Sequence, residues 1–84
     1  MQKFEVTVSD PVGLHARPAG VVVKEAQKLS SDIEVTLREK TVDLKKLLAV
    51  MSLGAKCGDT LTVSVSGDDE HSDAEKLKKI FETI

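Results

Sequence analysis

Lys3-Phe4-Glu5-Val6-Thr7-Val8-Ser9, then Asp10-Pro11-Val12-Gly13, then Leu14-His15-Ala16-Arg17-Pro18-Ala19-Gly20-Val21-Val22-Val23: within this one stretch the apolar period changes from two to between three and four. Phe4, Val6 and Val8 alternate with polar neighbours, which is the pattern of a strand with one buried face running from Lys3 to Ser9. Asp10 to Gly13 breaks it. Ala16, Ala19, Val22, Val23, Ala26 and Leu29 then fall on one face of a helix over residues 16 to 29. Pro18 sits in the first turn, where amides have no intrahelical acceptor, so its missing N–H costs little.

Beyond this β-α unit the same two periods recur. Ile33, Val35 and Leu37 alternate, then Val42 and Leu44, across a short polar break at Glu39-Lys40, which predicts a hairpin. Leu47 to Leu53 is apolar nearly all round and stops at Gly54, which reads as one or two helical turns. Leu61, Val63 and Val65 form a fourth strand that closes at Gly67. Ser72-x-x-Glu75 has the spacing of a capping box opening a last helix, whose buried stripe is Ala74, Leu77, Ile80, Phe81 and Ile84. The order β-α-β-β-α-β-α predicts an α+β fold. Half-buried strands with amphipathic helices make an open-faced β-sandwich, its antiparallel or mixed sheet covered by helices on one side.

The 84 residues suit one domain over 1–84, and a lone cysteine, Cys57, excludes an intrachain disulfide and points to a reducing, cytoplasmic setting. Twelve basic against fourteen acidic residues give a net charge of −2, and only Phe4 and Phe81 are aromatic, so no nucleic-acid partner is expected. The longest apolar run, Leu47 to Met51, is far below the ~20 residues that cross a bilayer, so no membrane insertion is expected. His15, Cys57 and His71 do not have the spacing of metal ligands, and neither a nucleophile elbow nor a phosphate-binding glycine loop is present; no cofactor is implied.

The chemistry concentrates at Gly13 to Ala19, where an imidazole and a guanidinium meet the start of a helix. Free first-turn amides and the positive helix end bind anions, and an arginine fork suits phosphate oxygens. A neutral ring nitrogen there can accept a phosphoryl group directly, with the amides and Arg17 receiving its charge. His71, among acidic residues, has no such company. Asp68-Asp69-Glu70 reads as a helix start, and Cys57 has neither a base nor a second thiol beside it in sequence. Leu47 to Leu53 holds more apolar surface than two turns can bury: Val50 and Leu53 face the core with Leu44, while Leu47, Leu48 and Met51 are either further core or an exposed docking patch.

Gly13-Leu14-His15-Ala16-Arg17-Pro18-Ala19, with Lys40-Thr41-Val42-Asp43-Leu44-Lys45 and Val50-Met51-Ser52-Leu53-Gly54, resembles the HPr family of histidine phosphocarriers over essentially the whole chain. The resemblance implies a four-stranded antiparallel sheet with three helices on one face, and a carrier, not an enzyme that turns over a small substrate. It implies that His15 takes a phosphoryl group on Nδ1 from phosphorylated enzyme I of the sugar phosphotransferase system and passes it to sugar-specific IIA domains. Arg17 and the amides of Ala16 and Arg17 would steady the group. Partners would dock on Leu47, Leu48 and Met51, with Gly20, Lys24 and Lys46 alongside, and the chain would act as a monomer. At Lys46 many Gram-positive members carry a serine phosphorylated by an ATP-dependent kinase, so that regulatory arm is not implied here; Ser52 is the remaining hydroxyl nearby. Val12, Gly20 and Glu39-Lys40 are further departures. Two other readings stand beside the sugar relay: the carrier of the nitrogen-related phosphotransferase branch, and a binding-only module of the same fold. An acid-labile mass gain of one phosphate separates carriers from the module.

Overall fold

A computed structural model describes residues 1–84. Its elements are β1 (Gln2–Thr7), α1 (Ala16–Gln27), β2 (Asp32–Leu37), β3 (Lys40–Asp43), α2 (Leu47–Met51), β4 (Thr60–Ser66) and α3 (Glu70–Glu82), in the expected order. The strands lie β1-β4-β2-β3 and every neighbouring pair is antiparallel. The register aligns Phe4, Val63, Val35 and Val42 across all four strands on the inner face. One residue along, Glu5, Thr62, Thr36 and Thr41 line up on the outer face, where the Thr36 and Thr41 hydroxyls are 2.7 Å apart. Period two has thus sorted apolar from polar side chains, and all three helices cover the apolar side. Val22, Val23, Ala26, Val50, Leu77 and Phe81 from the helices meet Ile33, Val35, Leu61, Val63 and Val65 from the sheet in one core of 18 buried residues.

Three local expectations need correction. The hairpin loop is Arg38-Glu39, since Leu37 pairs with Lys40, and Lys40 opens β3. Arg38 takes φ 55°, the left-handed conformation that glycine adopts most readily, so the turn lacks its usual sequence signal. α1 ends at Gln27, two residues short of the predicted end, where the Leu29 carbonyl accepts the Lys45 Nζ at 2.8 Å and the Lys45 carbonyl accepts Gln27 Nε2 at 2.8 Å.

The capping box at Ser72-Glu75 does not form. Asp69 is the N-cap of α3, and Ser72, already helical, donates its hydroxyl to the Asp69 carbonyl at 3.2 Å. The first turn is already closed on Asp69, whose carbonyl also accepts the Asp73 amide at 2.9 Å. The Asp73 side chain is buried on the core side of α3 and accepts the Ser31 hydroxyl at 2.6 Å and the Ser31 amide at 3.2 Å, which ties this early turn to the approach to β2. The neighbouring carboxylates are engaged too: Asp69 accepts the Ser30 hydroxyl at 2.8 Å and Glu70 pairs with the N-terminal ammonium at 2.6 Å.

Candidate functional site

The connection from β1 to α1 is shaped by Asp10. Its Oδ1 accepts the Val12 amide at 2.9 Å and its carbonyl accepts the Gly13 amide at 2.8 Å, which turns the chain through Pro11. Gly13 follows at φ 88°, and a Cβ there would sit 2.5 Å from the Ala55 carbonyl oxygen, so only glycine fits. The Leu14 amide donates to that same oxygen at 2.9 Å. Residues 55 to 59 are held in turn by Asp59: its carbonyl accepts the Val8 amide at 2.8 Å, its Oδ2 the Lys56 amide at 2.8 Å, and its Oδ1 lies 3.2 Å from the Arg38 guanidinium. The loop that delivers His15 therefore rests on a second, internally braced loop.

His15 is the N-cap of α1, extended at φ −86° and ψ −174°, with its carbonyl accepting the Ala19 amide at 3.0 Å. Its side chain does not cap the helix, and the first turn holds no acidic residue. The Ala16 and Arg17 amides make no hydrogen bond within the chain, and Pro18 has no amide proton to offer, so these two N–H groups are the open donors of the turn. Arg17 is exposed and unpaired. His15 Nε2 lies 3.5 Å from Asp10 Oδ2, with the two side chains 33% and 30% exposed. An anion at this end would meet two amides, the positive helix terminus and a guanidinium beside an accessible imidazole, the set required to receive and hold a phosphoryl group. Asp10 was not singled out by the sequence reading. The available signal was its place as an Asx residue before Pro11 in the turn that leads to His15.

α2 packs against α1, and its residues divide sharply. Val50 is buried with Leu44, and Leu53 packs at the core margin, whereas Leu48 is 81% exposed and Leu47 and Met51 are each 38% exposed. Val12, 75% exposed, adds an apolar side chain to the loop just before His15. On α1, Gly20 is half-buried and Lys24 exposed; Lys46 is exposed at the N-cap of α2. Lys45, next to Lys46 in sequence, has its ammonium committed to the Leu29 carbonyl at the end of α1. Ser52 caps the C-terminus of α2 and donates its hydroxyl to the Ala49 carbonyl at 2.6 Å, a position whose partial negative charge disfavours a phosphate. His71 and Cys57 are exposed, and no group of three or more His, Cys, Asp or Glu side chains is placed to share a metal ion. No helix is long and apolar enough to cross a membrane.

This fold, with an imidazole and a guanidinium at an open helix N-terminus, is that of the small histidine-bearing phosphocarriers. The family model for the PTS HPr component phosphorylation site matches residues 2–83. Phosphocarrier protein HPr of Mycoplasma capricolum is 40% identical over 79 residues, covering 94% of this chain and 89% of its own. That of Lysinibacillus sphaericus is 44% identical over 81 residues, covering 96% and 92%. A solved histidine-containing phosphocarrier protein of Mycoplasma superposes with a TM-score of 0.93 at 38% identity, covering 98% of this chain and 93% of that one. The chain belongs to the HPr family of phosphocarriers of the phosphotransferase system.

Proposed function

We propose that His15 accepts a phosphoryl group on Nδ1 from phosphorylated enzyme I in the cytoplasm and passes it to sugar-specific IIA domains, the chain acting as a monomeric carrier and not as an enzyme. The observation that carries this reading is the pair of unpartnered amides, Ala16 and Arg17, beside an uncapped His15 in a turn free of carboxylates. The Nδ1 lone pair attacks phosphorus, and the oxygens of the transferred group settle on the two amides, with the exposed Arg17 guanidinium closing on them. Leu47, Leu48 and Met51 form the apolar centre of the partner surface, with Gly20 leaving room for close approach and Lys24 and Lys46 as a basic rim that steers acidic partners. An ammonium at position 46 cannot be esterified, so ATP and a serine kinase leave this chain unmodified.

Incubation with phosphoenolpyruvate and enzyme I should add one acid-labile phosphate to the wild-type chain and none to His15→Ala. Uptake by that variant, with the label on His71, would remove His15 from the relay. Acid-stable phosphate on Ser52 after treatment with kinase and ATP would restore the regulatory arm.

A further inference from the structure

We propose that Asp10 is a positioning residue for His15, holding the proton of the ring on Nε2 so that Nδ1 presents its lone pair to the incoming phosphoryl group. The kinetic half of this proposal rests on the phosphocarrier reading; the tautomeric half does not.

Three observations converge on Asp10. Its Oδ2 is 3.5 Å from Nε2 of His15, within ion-pair reach of the ring. Its other oxygen is fixed by the Val12 amide at 2.9 Å and its carbonyl by the Gly13 amide at 2.8 Å, so the carboxylate is aimed by the backbone and does not roam. His15 gives no hydrogen bond to its own helix, which leaves the ring orientation to be set from outside α1. A carboxylate accepts only, so it favours the tautomer with hydrogen on the nitrogen it faces, and the opposite nitrogen is then the nucleophile.

The transfer needs no proton movement in this arrangement. The Nδ1 lone pair forms the new N–P bond, and the donor's bond to phosphorus breaks with its electron pair leaving on the donor atom. The ring keeps its Nε2 proton and becomes a phosphorylated imidazolium whose positive charge faces the Asp10 carboxylate, which tightens the 3.5 Å contact. In the onward step the N–P pair returns to Nδ1 and the leaving group is a neutral imidazole. Asp10 thus serves both directions of the relay by the same contact.

The decisive variant is Asp10→Asn. Asparagine keeps an oxygen for the Val12 amide, and with it the turn, but puts an NH2 donor opposite Nε2 and so favours the wrong tautomer. Asp10→Ser, which can also accept from the amide two residues on, removes the group facing the ring without supplying a donor. Nitrogen chemical shifts of the 15N-labelled unphosphorylated chain should show hydrogen predominantly on Nε2 in the wild type, a mixture in Asp10→Ser and hydrogen mainly on Nδ1 in Asp10→Asn. With phosphoenolpyruvate and enzyme I, kcat should fall by about tenfold or more in Asp10→Asn with KM unchanged, since the docking surface is untouched. Unchanged tautomer populations in both variants, or an unchanged kcat in Asp10→Asn, would overturn the assignment. A wild-type chain with the expected tautomer that takes no phosphate from enzyme I would instead sink the phosphocarrier reading and leave the positioning role standing.

Discussion

The first turn of α1 contains no carboxylate and leaves the Ala16 and Arg17 amides without partners, whereas the first turn of α3 is crowded by Asp69, Glu70 and Asp73. Both ends carry about half a positive charge from their aligned peptide dipoles. In α3 the chain's own acids face it while also binding Ser30, Ser31 and the N-terminal ammonium, and that end acts as a staple between α3, β1 and the approach to β2. The ammonium holds the Glu70 carboxyl below the ordinary carboxylate range. With that sign, its contribution is present above the ordinary carboxylate pKa and is lost as pH falls through the lowered value. At α1 no side chain of the chain opposes the field, which is what the proposed phosphoryl site requires. A fold can therefore use one physical feature for stability at one end and for chemistry at the other, and the choice lies in which side chains the first turn carries.

The largest effect should come from making the α1 end resemble the α3 end. Arg17→Glu places a carboxylate in the open turn and removes the guanidinium. Thermal stability should hold or rise by about 0.5 kcal/mol, because an acid at this position suits the dipole. Phosphoryl transfer should fall by about a hundredfold or more, the scale of losing preorganised donors around a developing charge. Thermal unfolding beside transfer kinetics decides; transfer at the wild-type rate would mean that the open turn is not where the group sits.

The reverse experiment empties the α3 end. Asp73→Ala strands the buried Ser31 amide and hydroxyl, both of which donate to that carboxylate. Urea denaturation should show a loss of about 2–3 kcal/mol with transfer by the folded fraction unaffected. Slower transfer at full folding would show that the two ends are coupled, and the contrast between them would fail.

Much of this contrast is legible in the sequence. Strand periods, the placement of Pro18, and His15 with Arg17 at a helix start are local signals, because alternation and first-turn chemistry depend on residues within a few positions. The capping-box expectation fails for a long-range reason: the N-cap is Asp69, three residues before Ser72, and Asp69 and Asp73 are claimed by Ser30 and Ser31, 39 and 42 residues away. Asp10 escaped notice similarly, since a single acid in a loop has no period, and only the folded turn brings it against Nε2. The excess of apolar residues at 47 to 53 predicted surplus surface, but its assignment to Leu48 above all required the packed position of α2.

Leu48 gives the next prediction in size. At 81% exposure it contributes little to the core, so Leu48→Asp should change stability by less than about 0.5 kcal/mol. Affinity for enzyme I should fall by about tenfold or more, as a charge is buried without a partner at the centre of the proposed interface. Calorimetric titration against enzyme I measures it. Unchanged affinity would confine the phosphoryl site and the docking surface to different faces.

The smallest effect concerns what braces the α1 end in place of carboxylates. That end is held from behind, by Gly13 against Ala55 and by Asp59, whose Oδ1 meets Arg38 at 3.2 Å. Two opposing terms meet at Arg38. Its φ of 55° costs a non-glycine residue about 1–2 kcal/mol. Glycine relieves that strain but adds about 0.5–1 kcal/mol of unfolded-state entropy and forfeits an ion pair whose arginine is 70% exposed, a contact worth only about 0.2–1 kcal/mol. Arg38→Gly should therefore leave stability within about 0.5 kcal/mol of the wild type. Transfer should be unchanged, because the Asp59 carbonyl to Val8 and its Oδ2 to Lys56 hold the loop without Arg38. Asp59→Ala removes the Lys56 contact as well and should slow transfer where Arg38→Gly does not. Equal loss in both variants would place the brace in the ion pair, and the α1 end would then depend on a side-chain staple much as α3 does.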